Sequence, residues 1–576
     1  MKETFLIKKT TINLLIILLI LISVIPIGIG DKLNISSDKI IINKYNVLNN
    51  NGSVFSTDDQ SIIIIYNNEQ KSNLNTNINF RNIFLNTIFE GPWPMYCHDA
   101  RHTSRSPYST VDNIGIEKWR YDMGWVCSGS PIIDDDEIIY IGAYYMYAVY
   151  PNGTLKWLFN SHGKVVSAPT IDDNGVLYFG GIWEEYFYAV YSENGTEKWR
   201  HSIGDTWASP TVGPDGIIYA TATDNWNVIA FYPNGTVKWS FHANERVFSS
   251  PAIGDNSTIY VTSYGNYLYA LYPENGTVKW QYHTGGSVRT SACIADDGTV
   301  YVVSVNGVLH ALYPNGTLKW QASIDGGTSP TIGWDGTIYC GYHQLFAINP
   351  DGSQKWVFNP GEGRSIKEGT PCNSVDGTIY FGTYISYSTQ PDGGELIAVN
   401  PDGTERWRLM IANNWVMSAP AIGADGTVYI GSWNDGTPPY GWGYLHAIGS
   451  LDPNAPSAPV ISGPDSGRIK KTYEFTFNST SPIGRDVYYY IDWDDHTATN
   501  WAGPYKSGEE ATISHSWLYK RTFTIKAQAK DTENLWGPCS TFNIKISNSK
   551  MAANSPLLRF LERFPLLQKL LSFQSI

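Results

Sequence analysis

The chain has 576 residues, 42% hydrophobic and 14% aromatic, enough for more than one core and too apolar for a disordered protein. A formal net charge of -13, with no lysine/arginine cluster to face a phosphate backbone, excludes nucleic acid as the partner. Six scattered cysteines without a C-x-x-C pair exclude a disulfide scaffold and a zinc site. Outside the cell, Cys340 with Cys372 or Cys97 with Cys127 are pairs open to oxidation, and buried free thiols are the alternative.

Lys8 and Lys9 precede an apolar run from Ile12 to Ile29, the pattern of a secretory signal or an uncleaved signal anchor, so residues 1–30 direct the chain to the secreted or cell-surface compartment. The stretch VIPIGIG (Val24 to Gly30) offers a peptidase only Gly28 and Gly30 as small residues, so cleavage and membrane attachment both stay open. Residues 31–90 are rich in Asn, Ser and Ile without a sustained period and read as a linker, with short β segments such as Ile62 to Tyr66. From Gly91 the texture changes, and Trp93, His98, Asp99, Arg101 and Pro107 lead into a first tryptophan strand, Ile116 to Tyr121.

From there a unit repeats. An apolar strand enters a Pro/Asn/Gly turn and returns to a tryptophan, as in YALYPENGTVKW from Tyr269 to Trp280, where Asn-Gly supplies the positive φ of a tight hairpin. The tryptophans are Trp119, Trp157, Trp199, Trp239, Trp280, Trp320, Trp356 and Trp407, spaced by 36 to 51 residues, the range of propeller blades. Each unit begins small-small-Pro (Pro131, Pro169, Pro210, Pro251, Pro330, Pro371 and Pro420, with Ala292 in one copy). It continues into a strand ending in tyrosine, then a strand built on alanine, then the tryptophan strand. Four short strands in eight units predict an all-β, eight-bladed β-propeller over residues 91–450. The last unit lacks a tryptophan strand after Ala447 while Ile116 to Tyr121 has no blade before it, so pairing the two closes the ring. The eight tryptophans are structural on this reading, docking between neighbouring blades. The turns at Asn152, Asn194, Asn234, Asn275 and Asn315, and also Asn256 and Asn478, match glycosylation acceptors, and turn chemistry alone explains the first five.

The A-x-Y-x-x-N-G-x-x-x-W spacing at Ala189 to Trp199 and Ala270 to Trp280 resembles the tryptophan-docking motif of pyrroloquinoline-quinone-like (PQQ-like) repeat propellers, and Trp93 to Pro107 is similar to the lead-in of some of them. That family includes quinone-dependent dehydrogenases as well as assembly scaffolds and binding proteins without a cofactor. After Ser450 the period stops. A Pro/Ser/Gly-rich link leads to strands at Thr472 to Phe477, Val487 to Trp493, Ala511 to Trp517, Thr522 to Ala529 and Thr541 to Ile546, an Ig-like β-sandwich over 451–548. Tyr490 to Asp495 with Phe523 to Asp531 resembles PKD-type domains, spacers of cell-surface proteins, with His496 where the family has glycine. The tail, 549–576, carries Leu557, Leu558, Leu561, Leu566, Leu567, Leu570 and Leu571 at helical spacing and resembles the short C-terminal helical tails of some archaeal exported proteins.

One propeller end gathers the loops between blades and the loops from second to third strand. Blade seven inserts Thr383 to Glu395 there and blade eight Ser432 to Tyr444, bringing Tyr384, Tyr387, Trp433, Tyr440 and Trp442 as stacking platforms. Five residues before each leading proline stand Val126, Lys164, Asp205, Arg246, Ser287, Asp325, Ile366 and Trp415, which vary where core positions do not. A quinone dehydrogenase needs calcium held by carboxylate and amide oxygens, a carboxylate base and an aromatic over the cofactor. The adjacent-cysteine disulfide of that family is absent and no Asp or Glu matches its base, while Asp134 to Glu137 falls on the Asp/Gly turns of other blades. No Ser/His/Asp triad, phosphate loop or H-E-x-x-H is visible. The sequence therefore predicts a surface-displayed binding protein, not an enzyme, without a cofactor, whose partner is a glycan, a polypeptide or a neighbouring surface protein. A PQQ- and calcium-dependent dehydrogenase and an envelope assembly scaffold are the alternatives.

Overall fold

The computed structural model describes residues 93–124, 129–183, 185–366, 369–385, 393–411, 415–433, 443–495 and 497–547, with the backbone of four short strands between residues 35 and 66. Those four strands (Ile35–Ser36, Lys39–Ile40, Gly52–Ser56 and Ile62–Tyr66) form one small sheet inside a unit spanning Met1–Asn82. The signal segment and the C-terminal tail lie outside the described residues. Among the described residues no helix is long and apolar enough to cross a membrane.

Eight four-stranded antiparallel sheets make the blades. Blades 1 to 7 end on Trp157, Trp199, Trp239, Trp280, Trp320, Trp356 and Trp407. Blade 8 combines Ala421–Ile422, Val428–Trp433 and Gly443–Gly449 with Ile116–Asp122, so the ring closes as expected, Ala447 facing Trp119. The repeat has a simple cause. In every blade the tyrosine of strand two, the alanine of strand three and the tryptophan of strand four lie in one cross-strand row, for example Tyr260, Ala270 and Trp280. Alanine is small enough for the two rings to meet over it, with centroids 5.6–5.8 Å apart in all eight blades.

Each indole then reaches the next blade. Its Nε1–H donates to a backbone carbonyl at 2.7–3.0 Å, in the neighbouring hairpin turn for seven of them, as from Trp119 to Pro151 and Trp239 to Pro273, and just before the closing strand of blade 8 for the last, from Trp407 to Asn113. The turn glycine lies flat under the ring. At Gly235 φ is +87°, and an added Cβ would sit 2.9 Å from the Trp199 ring, so both backbone and space require glycine.

At the axis the small-small-Pro motif finds its reason. Ala168 N–H donates to Ser209 Oγ, Ser209 N–H to Ser250, Ser250 N–H to Ser291 and Ser291 N–H to Ser329, stitching the inner strands of successive blades at 2.9–3.0 Å. Larger side chains would collide where the blades converge. The lead-in segment, Trp93 to Asn113, plugs this axis. Its backbone pairs with the inner strands of blades 1, 2, 4, 5, 6 and 7, through Ile133, Ile171, Ile253, Ile294, Ile332 and Asn373. These edges would otherwise carry unpaired amides. Within it Cys97, His98, His102 and Ser104 all have positive φ, between 55° and 71°. The Asp99 carboxylate fixes this shape by accepting from the Arg101 and Thr103 N–H groups and the Thr103 hydroxyl. Cys97, Cys293, Cys340 and Cys372 are separate buried thiols, so the Cys340–Cys372 pair does not form, while Cys127 lies outside the described residues. Burial pushes the Cys97 thiol up to about 12.

The C-terminal sandwich packs a three-stranded sheet (Val460–Ser462, Thr472–Asn478, Ala511–Ser516) on a five-stranded mixed one (Ser466–Arg468, Ser540–Ser547, Thr522–Asp531, Val487–Asp492, Ala498–Tyr505). Trp493 and Trp517 fill its core. It docks on the closing strand of blade 8 instead of standing free as a spacer. Gln528 Nε2 donates to the Glu117 and Lys118 carbonyls at 3.3 and 3.4 Å, and the Arg120 guanidinium lies over both Tyr444 and Tyr490 with Asp492 3.9 Å away. Burial would raise the Glu117 carboxyl, but the Arg120 charge and the His446 hydrogen bond outweigh it and hold the pKa at about 2.

Candidate functional site

With strands one to four running antiparallel, the inter-blade loops and the strand two-to-three loops share one end of the propeller. There the inter-blade segments are zipped to both neighbours. Lys164 pairs with Ile182 of the blade it leads into, while Val165 N–H donates to Ala143 of the blade before; Trp415 and Val416 do the same with Trp433 and Thr383. The residue four before the proline is buried (Val165, Thr206, Val247, Val288, Val416), as alternation along an extended segment demands. In these segments the positions five and three before it look the same way, out of the core; Ile366, five before Pro371, is buried instead.

The predicted residues divide accordingly. Arg246 is exposed and pairs with Asp224 at 3.3 Å. Asp325 braces its loop, its two oxygens accepting the N–H groups of Tyr342, His343 and Gln344, and Asp205 accepts the Trp183 N–H at 2.9 Å. Ile366 is fully buried and Ser287 holds Val305 through its backbone. On the side of blades 7, 8 and 1 the structure brings together Tyr384, Trp415, Trp433 and Lys164. The Trp415 and Trp433 rings meet edge-on at 4.7 Å, Tyr384 lies 5.7 Å from Trp415, and the Lys164 ammonium sits 5.7 Å over Trp433. Val126, Tyr387, Tyr440 and Trp442 lie outside the described residues.

An aromatic arc on blades 2 to 5 escaped the sequence reading. Trp183 is 69% exposed and Trp207 47%, joined through Asp205. Beyond them Phe248, Tyr264 and Arg289 form a group in which the guanidinium lies 5.8 Å from the Phe248 ring centre and 4.9 Å from that of Tyr264. Trp207, Phe248 and Arg289 stand three residues before the leading proline or its equivalent, so a period-two reading of the inter-blade segment would have found them. Trp183 has φ of 79°, and Trp226 has φ of 57° at the position just before strand three, where blade 2 has Glu185, blade 4 Asn266 and blade 5 Gly307, all likewise at positive φ.

One hydrogen-bonded line has the form of a hydrolytic triad: Ser432 Oγ lies 2.7 Å from His446 Nε2, and His446 Nδ1 lies 2.6 Å from Glu117. Ser432 has no accessible surface, and blade 5 repeats the pair with Ser304 and His310 at 3.0 Å. It is a packing solution shared by two blades.

Residues 184–334, from the third strand of blade 2 to the first turn of blade 6, match the family described as outer membrane protein assembly factor BamB. The chain carries a PQQ-like repeat β-propeller. Its fold is similar to that of quinohemoprotein alcohol dehydrogenase from Comamonas testosteroni, at 13% identity over 62% of this chain and 81% of that one with a TM-score of 0.52. BamB from Moraxella catarrhalis matches at 14% identity, 58% of this chain, 100% of that one and a TM-score of 0.47. The C-terminal region matches the PKD domain of an M14-like peptidase from a Thermoplasmatales archaeon, at 38% identity over 17% of this chain and 100% of that domain, with a TM-score of 0.16. No curated protein matches the chain.

At this face the Asp325 oxygens and one oxygen of Asp205 are engaged by backbone N–H groups, and among the described residues no group of three or more His, Cys, Asp or Glu side chains is placed to hold a metal.

Proposed function

We propose that this is an exported, surface-displayed binding protein that takes a glycan or polypeptide on the loop end of the propeller and works by binding, without turnover. The observation that carries this reading is the arc from Trp183 and Trp207 to Phe248, Tyr264 and Arg289, with the Trp183 and Trp207 indoles exposed to solvent. Flat aromatic faces stack on the C–H faces of sugars and on peptide side chains, and the neighbouring Asp224 and Arg246 supply hydrogen bonds. The PKD-like sandwich docks on the outer strand of blade 8, through Glu117 and Lys118.

The test is an array of immobilised polysaccharides and surface-protein extracts probed with the full chain, then with Trp183→Ala and Trp207→Ala. A ligand retained by the natural chain and weakened at least tenfold by either substitution, with an unchanged melting temperature, supports the reading. Binding indifferent to both substitutions overturns it.

A further inference from the structure

Five hairpin turns at the opposite end share more than turn chemistry requires. In blades 1 to 5 the turn runs Tyr-Pro-Asn-Gly-Thr or Tyr-x-Glu-Asn-Gly-Thr, placing Asn152, Asn194, Asn234, Asn275 and Asn315 at the tip, all exposed. In each the asparagine Oδ1 accepts the threonine hydroxyl at 2.7–2.8 Å and the threonine N–H at 3.0–3.1 Å, while Nδ2 makes no hydrogen bond to the described residues. Two or three residues earlier stands a tyrosine (Tyr150, Tyr191, Tyr232, Tyr272, Tyr313) that is 40–47% exposed.

Blades 6 and 7 build the same turn without either group. Asp351 and Asp402 replace the asparagine and accept the same two bonds, and Asn349 and Asn400 replace the tyrosine. The tryptophan of the preceding blade docks there equally well, Trp320 on Pro350 and Trp356 on Pro401. The fold needs neither the tyrosine nor the amide. Yet an exposed aromatic occurs wherever the amide does and is absent wherever it is not.

We infer that the five turns are N-glycosylation sites, each tyrosine covered by the first sugar of the glycan attached to its asparagine. The Nδ2–carbon bond forms to the anomeric carbon as that carbon's bond to the phosphate of a lipid-linked sugar donor breaks; Nδ2 gives up one proton, and the lipid phosphate leaves with the electron pair. The sugar's apolar C–H face removes tyrosine surface from water that the bare protein leaves exposed. The two other matching sequences among the described residues lack this arrangement. Asn478 spends its Nδ2 on the Gly508 carbonyl at 2.7 Å, and Asn256 has Gly254 and Ile253 where the tyrosine would stand. The inference rests on export, and a separate measurement reads export by itself.

The full chain is purified from its native cells and its glycopeptides are mapped by mass spectrometry, while protease added to intact cells reports surface display. The expected result is sugar on the five rim asparagines and none on Asn256 or Asn478. A protease-accessible chain with bare rim asparagines overturns the inference alone; a chain inside the cell overturns it together with the proposed function. In a host that glycosylates exported proteins, Tyr232→Asn, which copies blades 6 and 7, is expected to lower occupancy at Asn234 at least threefold and leave Asn275 unchanged. Equal occupancy removes the role of the tyrosine.

Discussion

Trp119→Ala tests whether the ring is held by tryptophan docking at its one non-continuous blade. Trp119 is 2% exposed, stacks on Tyr429 at 5.8 Å, covers Gly153 of blade 1 and donates to the Pro151 carbonyl at 2.7 Å. Truncating a buried tryptophan costs about 3–5 kcal/mol, and the abandoned carbonyl adds about 1 kcal/mol. For a domain of a few hundred residues, with an unfolding entropy of about 0.7 kcal/mol per kelvin, a loss of about 5 kcal/mol lowers the melting temperature by roughly 7 °C. Trp320, whose blade is continuous and whose ring is only partly buried, provides the comparison. Differential scanning calorimetry of Trp119→Ala and Trp320→Ala, with the sandwich transition as internal reference, checks the difference. A Trp119→Ala shift below about 1 °C, or one no larger than that of Trp320→Ala, would refute the closure argument.

Gly235→Ala is expected to cost about 3 kcal/mol, from the left-handed backbone and the clash with Trp199, whereas Gly285→Ala has φ of +74° and open space and is expected to cost only about 1 kcal/mol; urea denaturation of the two variants separates these contributions. Burial holds the His102 imidazole neutral down to about 4, below its ordinary 6.5, so between those values the unfolded chain binds a proton that the folded chain refuses, and stability falls as pH drops through that window. Melting curves from pH 7.5 to 4 are expected to show this slope, and His102→Gln to flatten it; equal slopes contradict the assignment. At lower pH the Glu117 carboxylate contributes in the same direction, its share fully present above its ordinary 4.5 and lost as pH falls towards about 2.

The propeller was legible because its stabilising contacts repeat. A tyrosine, an alanine, a tryptophan and a turn glycine are each demanded by contacts made eight times, so spacing alone revealed the blades and even the split eighth one. The plug was not legible. Trp93 to Asn113 touches a different blade every few residues, as when Tyr96 reaches Thr370 at 2.7 Å across 274 positions, and such pairings leave no period. The docking of the sandwich escaped for the same reason, since Glu117 meets His446 and Gln528 only in space. At the loop end the varying positions were sought five residues before the proline, where Asp325 and Ile366 turned out to serve the scaffold. The aromatic residues stand two positions later on the same face.

These non-repeating parts bear on which surface is left to act. Propeller strands leave two kinds of edge, the inner strands at the axis and the outer strand of each blade, and any of them invites unwanted pairing. The plug takes the inner edges of six blades, and Gln528 caps two carbonyls on the outer strand of the blade whose continuity is broken. The hairpin end is occupied by tryptophan docking and, on the inference drawn above, by sugars around its rim. Among the described residues the loop end carries none of these devices. Its inter-blade segments are zipped backbone to backbone, a rigid base, yet Trp183 and Trp207 stay in solvent on that base. Rigid backbone beneath exposed indoles is the arrangement that loses least entropy when a partner arrives, which supports the proposal that recognition takes place at this end.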